Sequence, residues 1–183
     1  MARVNAGLVV LAAGEGRRYG EAAKQLHPVG GRPMLDVVLA TAAASGVVPR
    51  VVVLGARAEQ ILAAVDLHGA QAVVCKEWRD GQAATLAAGL VALGDVDAAL
   101  VVLGDGPHLA AEAIGRVLAA FDPAEPGVVR AASYGRGRSH PVLLPRQVWA
   151  LLPQSGETPA RSLPARLVDC SDLPEPGDVD YAD

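Results

Sequence analysis

Aromatic residues make up only 3% of this 183-residue chain, and Phe121 is its single phenylalanine. A core nearly without rings has to be filled by Ala, Val and Leu, since hydrophobic residues still reach 51%, and close packing of helices on a sheet is the expectation. An excess of basic charge is also missing. The formal net charge is −4, which argues against a general electrostatic grip on nucleic-acid phosphates and leaves local basic clusters to hold a small anion. The two cysteines, Cys75 and Cys170, show no CxxC or Cys/His ligand spacing and read as small apolar residues buried in strands. No apolar run approaches the roughly 20 residues that span a bilayer, and the N-terminus lacks a signal-peptide pattern. A cytoplasmic protein with neither membrane nor nucleic-acid partners is expected. Repeats, linkers and low-complexity tracts are absent too, so residues 1–183 read as one domain, long enough to bury about 70% of its unfolded surface.

What the chain does have is concentrated in Leu11-Ala12-Ala13-Gly14-Glu15-Gly16-Arg17-Arg18-Tyr19-Gly20-Glu21-Ala22-Ala23-Lys24, directly after the apolar run 7–10. The run reads as a strand buried on both faces. The three glycines allow backbone N–H groups to approach an anion without Cβ interference, and with Arg17, Arg18 and Lys24 the loop suits a triphosphate. Two other readings stay open on the loop alone. The spacing of Gly14, Gly16 and Gly20 overlaps looser dinucleotide fingerprints, although a Rossmann loop turns straight into a helix and is followed by an acidic residue about twenty positions on. The other is a strand-to-helix turn with surface arginines.

Downstream, strand and helix signals alternate. Residues 25–29 read as a short extended piece and 30–33 as a turn, with Pro33 at the first helical position. Leu35, Val38, Leu39 and Ala42 mark one helix face and Gly46 its end. Strands are expected at 50–54, 71–76 and 98–103, with helices marked by Ile61, Leu62 and Val65, by Leu86, Leu90 and Leu93, and by Ile114, Val117, Leu118 and Phe121. Continuous apolar strands between helices mean a mostly parallel sheet covered on both faces. Residues 128–133 and 141–144, joined through Gly135-Arg136-Gly137, read as a hairpin, which supplies one antiparallel strand. Beyond Pro145 the reading is a helix at 147–152, a loop at 155–157, a short helix near Arg161 and a strand ending at Cys170.

Leu103-Gly104-Asp105-Gly106-Pro107 closes the most apolar strand. In open α/β sheets ligands bind outside the carboxyl ends of the strands, so Asp105 falls beside the first loop. Its carboxylate either caps the helix that follows or holds Mg²⁺ on phosphate oxygens, and a triphosphate loop at the same sheet edge favours the second.

These residues resemble the MobA-like nucleotidyltransferases and, within them, the molybdenum cofactor cytidylyltransferases. An apolar strand, then L-x-[AG]-G-x-x-x-R-[MFY]-G and a nearby lysine, is matched by Leu11, Ala13, Gly14, Arg18, Tyr19, Gly20 and Lys24. Further matches are Trp78, Gly81, Thr85 and Leu86; the segment 103–107; Ser139-His140-Pro141-Val142; Gly156-Glu157-Thr158-Pro159-Ala160-Arg161; and Asp178-Val179-Asp180. The resemblance implies a single three-layer α/β/α Rossmann-like domain that transfers CMP from CTP to the phosphate of molybdopterin and releases pyrophosphate, with a molybdoenzyme or its chaperone as a further partner. It also implies roles. Leu11, Ala12, Ala13, Gly14, Glu15, Gly16, Arg18, Lys24, Gly81 and Asp105 would bind nucleotide, with Arg18, Lys24 and Asp105 catalytic; Asp105 and Asp180 would hold Mg²⁺; His140, Glu157 and Arg161 would receive the acceptor. Departures cluster at the acceptor side. Ser139 stands where glycine is usual, Glu157 where aspartate is usual and Pro159 in place of a glycine, while Gly106 replaces a frequent glutamine. Competing readings are a related guanylyl- or sugar-phosphate nucleotidyltransferase, a non-catalytic nucleotide-binding module and, more distantly, a dinucleotide-dependent oxidoreductase.

Overall fold

The computed structural model describes residues 4–16 and 23–178. Along the chain the elements are β1 (Ala6–Ala12), β2 (Pro28–Val29), β3 (Arg32–Pro33), α1 (Met34–Ala44), β4 (Arg50–Leu54), α2 (Ala58–Ala64), β5 (Gln71–Val74), α3 (Gln82–Leu93), β6 (Ala98–Leu103), α4 (Ala111–Ala119), β7 (Val129–Ser133), β8 (Ser139–Pro145) and β9 (Ala165–Asp169). A seven-stranded sheet runs in the order β5-β4-β1-β6-β8-β7-β9. Its pairings are parallel except the two that β8 makes, with β6 and β7. β8 is therefore the one antiparallel strand, as the hairpin pattern implied.

Side chains alternate across this sheet. Leu8, Val10, Val52, Leu54, Leu100 and Val102 point to one face and pack against α1, α2 and α4 through Leu35, Leu39, Ile61, Ile114 and Val117. Val9, Leu11, Val51, Val53 and Val101 point to the other and meet Leu86, Leu90 and Leu93 of α3. The small-residue core does what its composition implies. A Cβ on Gly89 of α3 would lie 2.6 Å from a Val9 methyl and 2.9 Å from one of Val53, so the helix backbone rests directly on the strands.

Several boundaries differ from the sequence reading. Pro33 is the residue before α1 rather than its first, because it remains extended at ψ 137°. β5 stops at Val74 and β9 at Asp169, so Cys75 and Cys170 each lie just past a strand. Both are buried free thiols, pushed up in pKa by burial. The helix expected at 147–152 is a 3-10 helix at Arg146–Leu151. Near Arg161 there is a run of turns at 159–162 instead of a helix. Among the described residues no helix is long and apolar enough to cross a membrane.

Candidate active site

From β1 the chain moves to β4 and β5 on one side, then returns to lay β6 on the other. The reversal opens a crevice at the carboxyl ends of β1 and β6, the position where open α/β sheets bind ligands. The loop after β1 and the loop carrying Asp105 flank it, tied by the Gly104 N–H donating to the Leu11 carbonyl at 2.8 Å. Arg18 and Asp180, two of the residues expected in this site, lie outside the described residues.

A cleft of about 520 Å³ occupies the crevice. Ala13, Gly14, Glu15 and Gly16 line one part of it; Trp78, Arg79 and the start of α3, with Gly81, Gln82 and Thr85, line another; Asp105 and Glu157 complete it. Gly81 is required by the close approach of the 156–157 segment. Its φ is +99°, and an added Cβ would sit 2.7 Å from the Gly156 carbonyl oxygen. That carbonyl accepts from the Ala83 N–H at 2.9 Å and the Gly156 N–H donates to the Asp80 carbonyl at 2.9 Å. The result is that Glu157 lines this cleft, whereas His140 and Arg161 line the neighbouring cavity. Trp78 both borders the cleft and packs, half-buried, on the α3-side core, with the Arg79 guanidinium 4.3 Å above its ring.

Lys24 pairs with Asp105, which lines the cleft. Its Nζ lies 2.8 Å from Asp105 Oδ2 and 2.6 Å from Asp178 Oδ1, and its side chain is only 12% exposed. Burial would lower its pKa, but hydrogen bonds and charge from both carboxylates outweigh this and hold it above its ordinary value. The adjacent Gln25 is buried, and its Nε2 donates to the carbonyls of Ala12 at 2.8 Å and Gly14 at 3.0 Å. Ala12 thus shapes the loop through its carbonyl. Gln25→Ala should lower stability by about 1–3 kcal/mol, because two carbonyls lose their donor in a largely dry setting. Denaturant unfolding checks this, and an unchanged midpoint would mean that water replaces the amide.

Asp105 and Asp178 share the Lys24 ammonium, so a divalent ion on Asp105 would compete with it for that carboxylate. Mg²⁺ takes one or two carboxylates and completes its shell with water and phosphate oxygens. No group of three or more His, Cys, Asp or Glu side chains that could hold a metal ion occurs among the described residues.

Beside the cleft, and sharing Leu11 and Gln82 with it, is a second cavity of about 480 Å³ that includes His140 and Arg161. Burial, with a smaller contribution from the Arg138 charge, pushes the His140 pKa down to about 4. Glu175 and Asp178 border a neighbouring cavity that also reaches His140. A histidine neutral when folded and titrating near 6.5 when unfolded contributes stability above pH 6.5 that is lost as pH falls towards 4. Stability at pH 5 is therefore expected to be on the order of 2 kcal/mol below that at pH 7 from this group. Denaturant melts of the wild type and His140→Gln at both pH values check it; an equal pH loss in the two proteins would sink the assignment.

Residues 8–170 match the MobA-like NTP transferase domain. The chain belongs to this family. It is 31% identical, over 94% of its length and 90% of the relative's, to nicotine blue oxidoreductase of Paenarthrobacter nicotinovorans. A crystal structure of the Mycobacterium tuberculosis Rv0371c homolog from Mycobacterium sp. strain JC1 superposes with a TM-score of 0.82 at 26% identity, covering 98% of this chain and 92% of that one. The manganese complex of Rv0371c from Mycobacterium tuberculosis H37Rv gives a TM-score of 0.74 at 25% identity, covering 90% and 88%.

Arg79 and Gln82 line the cleft, Gln25 holds the loop after β1 and Asp178 contacts Lys24, although the sequence reading gave them no role. Gln25 carried a legible signal, a long amide directly beside the candidate lysine at the mouth of a buried strand. Arg79 could have been found from its place next to Trp78 and three residues before the small-residue helix. In place of Asp178 the resemblance points to Asp180, two positions on.

Proposed function

We propose that this MobA-like transferase moves CMP from CTP to the phosphate of molybdopterin. The observation that carries the reading is the ion pair of Lys24 with Asp105 beside the glycine loop, at the β1/β6 crevice. An oxygen of the acceptor phosphate forms a bond to the α-phosphorus of CTP, the bridging bond to the β-phosphate breaks, and pyrophosphate leaves with that electron pair. No protein nucleophile is required, since the attacking phosphate is ionised at neutral pH; positioning and charge stabilisation carry the rate.

In this reading backbone N–H groups from Ala13 to Gly16 and the Arg18 guanidinium hold the β- and γ-phosphates. Lys24 faces the charge that grows on the α-phosphate oxygens. Asp105 and Asp180 would hold Mg²⁺, which when bound neutralises phosphate charge. His140 and Arg161, with Glu157 reaching in from the adjoining cleft, receive the pterin, and the product passes to a molybdoenzyme or its chaperone. Pyrophosphate release measured across CTP, GTP, ATP and UTP with molybdopterin supplied tests the whole assignment, and release with CTP alone among the four is expected.

The choice of CTP rests on Ala13, which lines the cleft at a position where guanylyl enzymes of this kind tend to carry glycine. A methyl there narrows the pocket and favours a pyrimidine by about 1–3 kcal/mol. Calorimetry with Mg²⁺ should show CTP binding roughly tenfold to two-hundredfold more tightly than GTP; the reverse order overturns the assignment. The name of the Paenarthrobacter relative keeps an oxidoreductase as a second reading. NADH fluorescence separates the two, and no change on mixing with the protein is expected.

A further inference from the structure

Three consecutive peptide planes of the loop after β1 are pinned by their carbonyls, and a single side chain pins two of them. Gln25 Nε2 donates to the Ala12 carbonyl at 2.8 Å and to the Gly14 carbonyl at 3.0 Å. The Ala13 carbonyl between them accepts from the Ala56 N–H at 3.2 Å. In a trans peptide the N–H lies opposite the C=O, so fixing these carbonyls fixes the directions of the Ala13, Gly14 and Glu15 N–H groups. Gln25 is 6% exposed and stands behind the loop, since Ala13, Gly14, Glu15 and Gly16 line the cleft and Gln25 does not. The Ala13 and Glu15 N–H groups therefore point away from the side chain that holds them. Among the described residues no backbone carbonyl accepts from the Ala13 or Gly14 N–H. The anchor is itself rigid. Gln25 belongs to a 3-10 turn, Lys24–Leu26, in which the Leu26 N–H donates to the Ala23 carbonyl at 2.9 Å and the His27 N–H to the Lys24 carbonyl at 3.1 Å.

We infer that Gln25 is a positioning residue for nucleotide binding. It does not touch the substrate; through two carbonyls it aims the N–H groups of the loop at the β- and γ-phosphates before CTP arrives. This rests on the transferase reading, which gives those N–H groups to the phosphates. Donors already aimed need no reorganisation when the anion enters. Without the amide, the planes of the Ala12 and Gly14 carbonyls turn towards other donors, and the N–H groups on the same planes swing with them.

Gln25→Met keeps the length and apolar stem of the side chain and removes both donors. Calorimetric titrations with inorganic tripolyphosphate and with CTP, each with Mg²⁺, should show folded Gln25→Met binding both about tenfold more weakly than the wild type. Pyrophosphate release should show the KM for CTP raised about tenfold with kcat within about threefold of wild type. A merely structural amide gives no such split, because the molecules that fold would bind and turn over like the wild type. NMR of the wild type supplies an arm that needs no variant: tripolyphosphate should shift the Ala13 and Glu15 N–H resonances while the Gln25 side-chain amide protons stay protected from exchange. Unaltered tripolyphosphate affinity or CTP KM in folded Gln25→Met overturns the inference. So do Ala13 and Glu15 resonances that ignore tripolyphosphate, or Gln25 amide protons that exchange freely, and these decide the matter if the variant does not fold. A wild type that binds neither CTP nor tripolyphosphate overturns the transferase reading and this inference with it; binding of both by the wild type, with no change in Gln25→Met, overturns the role of Gln25 alone.

Discussion

Asp105→Asn should lower turnover at saturating Mg²⁺ and nucleotide by on the order of a hundredfold or more, while the unfolding midpoint barely moves. The amide preserves shape and removes a full negative charge at the carboxyl end of β6, where a phosphate-bound divalent ion would sit. Stability is little affected because Asp105 is 31% exposed and Lys24 keeps its contact with Asp178; a pair with that much solvent contributes at most about 1 kcal/mol. Asp178→Asn should be mild. Its side chain is 56% exposed and pairs with Lys24, so the amide costs a screened interaction and leaves Asp105 in place. Asp180→Asn should match Asp105→Asn if the late Asp-Val-Asp segment supplies its second carboxylate to the ion. Turnover of the three single variants decides the matter. A severe defect in Asp178→Asn with near-normal Asp180→Asn would show that the carboxylate already touching Lys24 is the ligand.

The frame of this site was legible because it depends on local patterns. β4 and β6 fall at 50–54 and 98–103 as expected, since uninterrupted Val and Leu admit few alternatives to a strand buried on both faces. The crevice follows from strand order, which the sequence reading left open; the alternation of strands and helices and the Gly135 hairpin implied only a mostly parallel sheet with one antiparallel strand. Two kinds of feature were not legible. Around Arg161 Thr158-Pro159 offers a helix start, but no apolar period follows it and Pro164 ends the segment within about a turn, so only turns form. The Lys24 contact with Asp178 joins residues 154 positions apart, and it depends on how the segment after β9 crosses the sheet edge. There the Pro176 carbonyl accepts from the His108 N–H at 3.0 Å, which brings Asp178 towards the crevice; no short-range pattern encodes that crossing. The motif likewise grouped Glu157 with His140 and Arg161, whereas its contact with Gly81 places it in the adjoining cleft beside the glycine loop.

Lys24→Met should reduce turnover about a hundredfold to a thousandfold with a smaller loss of CTP affinity. Methionine keeps the apolar stem that fills this 12%-exposed position and removes only the ammonium. In the ligand-free protein that ammonium is already oriented by Asp105 and Asp178, so little reorganisation is needed when charge grows on the transferring phosphate, and this is where preorganised charge acts most strongly. Its raised pKa keeps it ionised throughout the neutral range. The sign of the linkage is that its stabilising contribution is complete below the unfolded value of 10.5 and is lost only as pH rises through the higher folded value. Wild-type turnover between pH 6 and 9 should therefore show no limb from Lys24. The fold should lose only about 1 kcal/mol in Lys24→Met, because the partially exposed carboxylates left behind rehydrate. Single-turnover rates at saturating Mg²⁺ and CTP provide the measurement, with Lys24→Arg as a control that keeps charge but spreads it over a wider fork. A Lys24→Met rate within threefold of wild type would mean that this lysine serves only to hold Asp105 and Asp178 together.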